Sequence, residues 1–284
     1  MYKNMNEVVY HYCSVETFFN IVKNSSIWLS DIAKSNDYQE CVRCREIVNN
    51  EIEEYLRDDV EALKVWRTWY EEGAYSYSST KTFCVCFSGS KDKLSQWRGY
   101  AQDGKGVAIG FDKELLEELN QISEFHIAFG KVLYDNPEEY VQGIIADNIK
   151  KFEYKSVGHV ALELSENYRM QFPFVKNPGF KEENEWRVVV CSGIGHYNIP
   201  SSDNILFSKV KYRTANNKLV PYIEMNFEKV KQNIIKEIFI GPKSEVEVED
   251  VINLLSYYGY YDGIEEEYNS HTPVDIQKSY TTYR

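Results

Sequence analysis

The segment Lys181-Glu182-Glu183-Asn184-Glu185-Trp186-Arg187 runs without a break into Val188-Val189-Val190, and this junction constrains the fold more than any other stretch. It reads as a buried strand with acidic groups at its mouth. Side chains alternate across a strand, so Glu183, Glu185 and Arg187 share one face while Trp186, Val188 and Val190 share the other. Two carboxylates converging on a rigid element are what stabilises a developing cation or activates a nucleophile. The same residues also fit an edge strand on which Glu185 pairs with Arg187 in solvent.

A chain of 284 residues can bury a sizeable core, as one large domain or two small ones. Its 43% hydrophobic and 27% charged residues place it among globular chains. A formal net charge of -12 argues against general nucleic-acid binding, because phosphate contacts need a basic surface. No apolar stretch approaches the roughly 20 residues that span a membrane. Met1 to Glu7 lacks the apolar core of a signal peptide, so the expected location is the cytoplasm. Cys41 and Cys44 have the spacing of half a zinc site, but Cys84 and Cys86, the candidate second half, are spaced wrongly within an apolar run. Buried thiols are the simpler reading, and no metal ligands are assigned.

Along the chain, Val8 to Tyr12 reads as a first strand, and Ser14 sits where an N-cap belongs before a helix from Val15. Ile27 to Ser30 is a second strand, followed by a polar loop containing Asn36-Asp37. Helical patterning over 41–72 ends at Gly73 and a small-residue linker, which marks 41–80 as a candidate inserted helical lobe. In Phe83 to Ser88 the apolar Phe83, Val85 and Phe87 point one way and Cys84, Cys86 and Ser88 the other. Pro137 fits a helix N1 position, opening helical patterning to about Met170 with a break near Gly158. Leu206 to Arg213 and Leu219 to Met225 form a strand pair around Asn216-Asn217, and the remainder reads strand, turn, helix, strand. The expected fold is a single α+β domain over 1–284, with a central, mostly antiparallel sheet and inserted helices.

Several residues carry chemistry. His11, mid-strand between two tyrosines, can present an imidazole to a ligand or simply bond to backbone. Ser88 ends an apolar strand, yet no G-x-S-x-G surrounds it, so a hydrolase nucleophile is unsupported. Gly104, Gly106 and Gly110 miss the dinucleotide fingerprint because a strand follows them where a helix is required. Trp97 and Tyr100 can stack on a nucleobase or fill core. Asp31, Asp37 and Glu40 could join Glu183 and Glu185 in a divalent-metal site of nuclease type, on composition alone.

Tyr10-His11-Tyr12, Ile27-Trp28-Leu29-Ser30, Asn36-Asp37, Gln96-Trp97-Arg98-Gly99-Tyr100-Ala101, Gly106 to Phe111, Glu183 to Arg187 and Ile238 to Lys243 follow one another in a familiar order. In this the chain resembles, over essentially its whole length, the bacterial family catalogued as domain of unknown function twenty-nine seventy-one. Gln96 departs from the apolar residue expected before the tryptophan, as does the long helical stretch 41–80; neither is expected to touch the polar constellation. His11 on an early strand, Ser88 ending a middle strand, and Glu183 with Glu185 leading into a late one also resemble the three-part signature of ADP-ribosyltransferases. That resemblance implies an ADP-ribosyltransferase-like fold and NAD as substrate. Glu185 would stabilise an oxocarbenium-like ribose, Glu183 would orient or deprotonate the acceptor, and His11 would hold the ribose or nicotinamide amide. Ser88 would position Glu185, while Tyr12, Trp97, Tyr100 and Arg187 would line or support the nucleotide site. The implied acceptor is water, a protein or a nucleic acid, and the implied setting is a toxin or antiviral-defence effector. A metal-dependent nuclease and a non-enzymatic sensor or partner-binding module are the alternatives.

Overall fold

The computed structural model describes residues 7–35, 38–72, 81–121, 127–191, 205–215, 217–261 and 274–283. In chain order the elements that matter here are β1 (Val8–Cys13), α1 (Val15–Asn24), β2 (Ser26–Asp31), α2 (Tyr38–Tyr55), α3 (Val60–Trp66), β3 (Thr82–Ser88) and α4 (Leu94–Tyr100). Then come β4 (Val107–Asp112), α5 (Lys113–Glu117), β5 (Ile127–Lys131), α6 (Pro137–Ile149), α7 (Val157–Met170) and β6 (Glu185–Cys191). β7 (Leu206–Phe207), β8 (Lys211–Ala215), β9 (Lys218–Asn226), β10 (Ile235–Ile240), α8 (Val248–Tyr257) and β11 (Asp275–Lys278) complete the set. The expected strand Leu206 to Arg213 is two pieces, because Ser208 to Val210 leave the sheet. The helical break falls at Tyr154 to Ser156, where Ser156 caps α7 with its hydroxyl on the His159 amide, and Gly158 lies inside that helix. The linker 73–80, Asn36-Asp37 and Asn216 lie outside the described residues.

The protein is a mixed α+β structure around a central, mostly antiparallel sheet. Among the described strands the only parallel pairing is β10 with β11. The sheet forks at β3. On one side β6 pairs with it along all seven residues, from Thr82↔Cys191 to Ser88↔Glu185. On the other side two strands share it: β1 meets it at Tyr10↔Ser88, and β2 at Ser30↔Cys84 and Asp31↔Phe83. Between those two contacts β1 and β2 diverge, and the His11 Nδ1–H donates to the Cys86 carbonyl at 3.0 Å in the gap.

Alternation assigns the two faces. Phe83, Val85 and Phe87 join Val9, Ile109, Val188 and Ile238 in the main core, covered by Phe18, Ile21 and Val22 of α1 and by Val251 and Leu255 of α8. The opposite face has two separate covers. Over one part, Val48 and Ile52 of α2, Trp66 of α3, Ile145 of α6 and Leu164 of α7 build a second core. Over the other, Trp97 and Ala101 pack on Tyr10, Tyr12, Ala108 and Phe239. The helical lobe therefore extends beyond 41–80: α2 and α3 bury their apolar stripes against α6 and α7, nearly a hundred residues on. Cys41 and Cys44 are buried in that lobe core.

β6 is not an edge strand, since it lies between β3 and β5, and Glu185 and Arg187 pair in the interior with 5% and 1% of their surface exposed. The alternation of the sequence fits both arrangements; the strand order decides between them.

Candidate functional site

Where the sheet forks, between the two covers, lies a cavity of about 240 Å³ lined by Tyr10, His11, Tyr12, Ser35, Cys86, Phe87, Ser88, Gln96, Tyr100, Glu183 and Glu185. It draws on β1, the turn after β2, β3, α4 and the approach to β6. The structure thus brings His11, Tyr12, Ser88, Tyr100, Glu183 and Glu185 together. Trp97 and Arg187 stand behind the wall: Trp97 has no exposed surface and packs edge-on against Tyr12 at 4.8 Å. Arg187 reaches the cavity only through Glu185.

The acidic corner begins with a 3₁₀ turn, Pro178–Glu183, that ends on Asn184 in the left-handed conformation (φ 45°). Asn184 accepts the Gly89 amide on its carbonyl at 2.7 Å, and the Ser88 hydroxyl donates to the Glu183 carbonyl at 2.8 Å. A Cβ at Gly89 would stand 2.3 Å from the Asn184 side-chain Nδ2 and 3.3 Å from its carbonyl oxygen, so a larger residue there would displace the Asn184 side chain. Ser88 therefore positions the backbone that carries both glutamates.

Glu185 is held by charge on two sides. Arg187 donates Nε to Oε1 at 2.8 Å and Nη2 to Oε2 at 2.9 Å, a bidentate pair. Lys176 donates to Glu185 Oε2 at 3.1 Å and to Glu183 Oε2 at 2.5 Å, and is itself only 3% exposed. Burial pushes the Glu185 carboxyl up, but the Arg187 and Lys176 charges, with contacts to Arg187 and Cys86, hold it below the ordinary carboxylate value. Tyr100 donates to Glu183 Oε1 at 3.1 Å, and burial, reinforced by the Glu183 charge, raises its phenol. Tyr134 accepts the Glu185 amide at 3.1 Å, and burial pushes that phenol up to about 12. Both phenols are neutral hydrogen-bonding groups at pH 7.

The opposite wall is neutral. Burial lowers the His11 pKa against the opposing effect of its bond to the Cys86 carbonyl. A carbonyl only accepts, so Nδ1 carries the proton and Nε2 keeps a lone pair. Tyr12 donates to the Ser90 carbonyl at 2.8 Å and accepts the Lys93 amide at 3.1 Å, fixing the start of α4. The Cys86 thiol contacts Cys84 at 3.9 Å, and that contact together with burial raises its pKa well above the usual value, so it offers no thiolate nucleophile.

Sequence reading missed Lys176, Tyr134, Tyr10 and Gln96. Lys176 comes from an irregular stretch pinned by the Leu133↔Val175 bridge, and no periodicity signals it; its one mark is a lone cation after the apolar Pro173-Phe174-Val175. Gln96, where an apolar residue is expected, is 6% exposed and lines the cavity. Asp31, offered for a metal site, instead pairs with Lys81 at 3.1 Å and caps the Ala33 amide at 3.0 Å. Asp37 lies outside the described residues, as does the Glu40 side chain; among the described residues no three His, Cys, Asp or Glu stand where they could hold a metal ion. No described helix is long and apolar enough to cross a membrane.

Residues 96–188 match a family described as protein of unknown function (DUF2971). The match covers about a third of the chain, from within α4 through β4 to the start of β6. No curated protein and no solved structure matches the chain.

Proposed function

We propose that the cavity binds NAD and cleaves its nicotinamide–ribose bond, passing ADP-ribose to water or to an acceptor. The observation that carries this reading is that one cavity gathers His11, Ser88, Glu183 and Glu185, which lie as much as 174 residues apart in the chain. A mixed sheet that forks at the site is compatible with an ADP-ribosyltransferase-like fold. At about 240 Å³ the cavity is smaller than the roughly 300–1,000 Å³ of sites that enclose a drug-sized ligand. That size suits a ring and its sugar, with the remainder of a dinucleotide running out over the rim.

In this mechanism the ribose C1′–nitrogen bond breaks with both electrons leaving on the nicotinamide, which becomes neutral. The positive charge passes to the ribose as an oxocarbenium ion beside Glu185, whose orientation Arg187 and Lys176 fix in advance. Water or another nucleophile adds to C1′ and gives its proton to Glu183. Tyr12 and Tyr100 wall the ring, with Trp97 bracing Tyr12. A toxin or defence effector is the setting such chemistry suits, since loss of NAD harms a cell.

The test is nicotinamide release from NAD by the purified protein, with and without chelator, comparing wild type with Glu183→Gln and Glu185→Gln. Chelator-resistant release that falls at least 100-fold in both variants is expected, in the range by which acid–base and electrostatic groups act. Absence of both release and NAD binding in the wild type would overturn the reading.

A further inference from the structure

A buried polar group without a partner is costly, and most polar side chains around the cavity have one. Tyr10 donates to Glu237, Tyr12 to Ser90, Tyr100 to Glu183, Ser35 to the Ile32 carbonyl and Ser88 to the Glu183 carbonyl. Glu183 has a donor on each oxygen and Glu185 has three in all. Two groups remain. His11 uses Nδ1 on Cys86 and has no partner on Nε2 among the described residues. Gln96 is 94% buried, forms part of the cavity wall, and its side-chain amide has no hydrogen-bond partner among the described residues. The Nε2 of His11 and the Gln96 amide are therefore the cavity's unengaged polar groups, open to a ligand group that donates to an imidazole lone pair and that both donates to and accepts from a primary amide.

We infer that Gln96 is a specificity-determining residue that, with His11 Nε2, reads a carboxamide on the bound ring. A carboxamide has two N–H donors and one carbonyl acceptor, which matches the unused capacity. A carboxylate in its place has no donor for either His11 Nε2 or the Gln96 oxygen, and it adds negative charge to a cavity already holding Glu183 and Glu185. The choice of nicotinamide as ligand rests on the function proposed above; the carboxamide preference comes from the unengaged His11 Nε2 and Gln96 amide. An apolar residue at position 96 would remove that preference.

The experiment is binding of nicotinamide and of nicotinic acid to the full chain, by titration calorimetry or ligand-observed NMR, for wild type, Gln96→Leu and Gln96→Glu. Wild type is expected to favour nicotinamide at least tenfold, about the effect of one or two net hydrogen bonds. Gln96→Leu should reduce that preference to within about twofold, while circular dichroism verifies the fold of each variant. If Gln96→Leu fails to fold, Gln96→Glu, close in size and able to pair a donor, should keep nicotinamide binding and reject nicotinic acid more strongly. Equal binding of both compounds by wild type, or an undiminished preference in folded Gln96→Leu, would overturn the inference. Carboxamide preference without NAD cleavage would sink the proposed reaction alone, and cleavage with no dependence on Gln96 would sink only the role of Gln96.

Discussion

Replacing Glu185 by Gln is expected to destabilise the protein as well as disable it, and the size of that effect follows from the packing. Glu185, Lys176 and Arg187 are 5%, 3% and 1% exposed, and with Glu183 their formal charges sum to zero. The substitution keeps the shape but leaves two buried cations facing one carboxylate. Removing one partner of a buried pair costs about 3–5 kcal/mol. Glutamine retains a carbonyl oxygen for Arg187, so the lower end, about 3 kcal/mol, applies. With a denaturant dependence of about 3 kcal/mol per molar, the urea midpoint should fall by about 1 M. Far-ultraviolet circular dichroism and tryptophan fluorescence measured together would follow this. A parallel set with Arg187→Met and the double variant should reveal coupling of about 1–3 kcal/mol, the double variant losing less than the sum. A midpoint shift below about 0.3 M, the range of an exposed pair, would refute the argument, because it would mean that water reaches the cluster. For the same reason, nicotinamide release by Glu185→Gln has meaning only at a temperature where that variant is folded.

Four further outcomes are expected. The Glu185 carboxyl is held low in the folded state, so its contribution is complete above the unfolded value near 4.3 and is lost as pH falls through the lower folded value; acid unfolding should begin at higher pH in Arg187→Met, by pH-jump fluorescence. Lys176→Met should lower the rate of nicotinamide release more than it alters the apparent affinity, with Lys176→Arg recovering part of the rate, because the cation orients Glu183 and Glu185 without lining the cavity. Asp92 accepts Ser279 at 2.6 Å, the Trp97 indole at 2.6 Å, the Tyr280 amide at 2.8 Å and Thr281 at 3.1 Å, so Asp92→Ala should cost about 2–4 kcal/mol and raise hydrogen exchange across α4. Gly106→Ala would set a Cβ 2.0 Å from the Cys13 carbonyl; a loss of about 2 kcal/mol or more in urea melts is expected, and a neutral result would show that the β1 end yields freely.

Much of the fold was legible because the strands alternate cleanly and the helices announce their starts. Ser14 caps α1 and Pro137 opens α6 as the spacing predicts, and Phe83, Val85 and Phe87 face the core. The lobe was only half legible: the stripe of α2 says that it packs, but not that α6 and α7 complete it. The fork at β3 rests on which strand pairs where, information carried by contacts between distant segments. For the candidate site, the face shared by Glu185 and Arg187 followed from period two; Glu183 instead reaches the same corner from the 3₁₀ turn before the strand, past the left-handed Asn184, and Lys176 sits in irregular backbone where no period exists. Gln96 illustrates the opposite error, since a polar residue at a position read as apolar was set aside, and its burial at the cavity wall is what gives it meaning.

The gap between β1 and β2 bears on how such a site could evolve. There His11 gives Cys86 the hydrogen bond that a neighbouring strand would otherwise supply. Its imidazole is therefore fastened to the scaffold at one nitrogen and open to a ligand at the other. On the function proposed above, substitution of His11 disturbs the ladder and the ligand contact together, so selection on fold and on recognition acts on a single codon. Gln96 carries no such double duty: with Tyr100 it sits on a short helix laid over the sheet. Change in specificity across relatives has a ready route through that helix, with the His11 side of the cavity held constant.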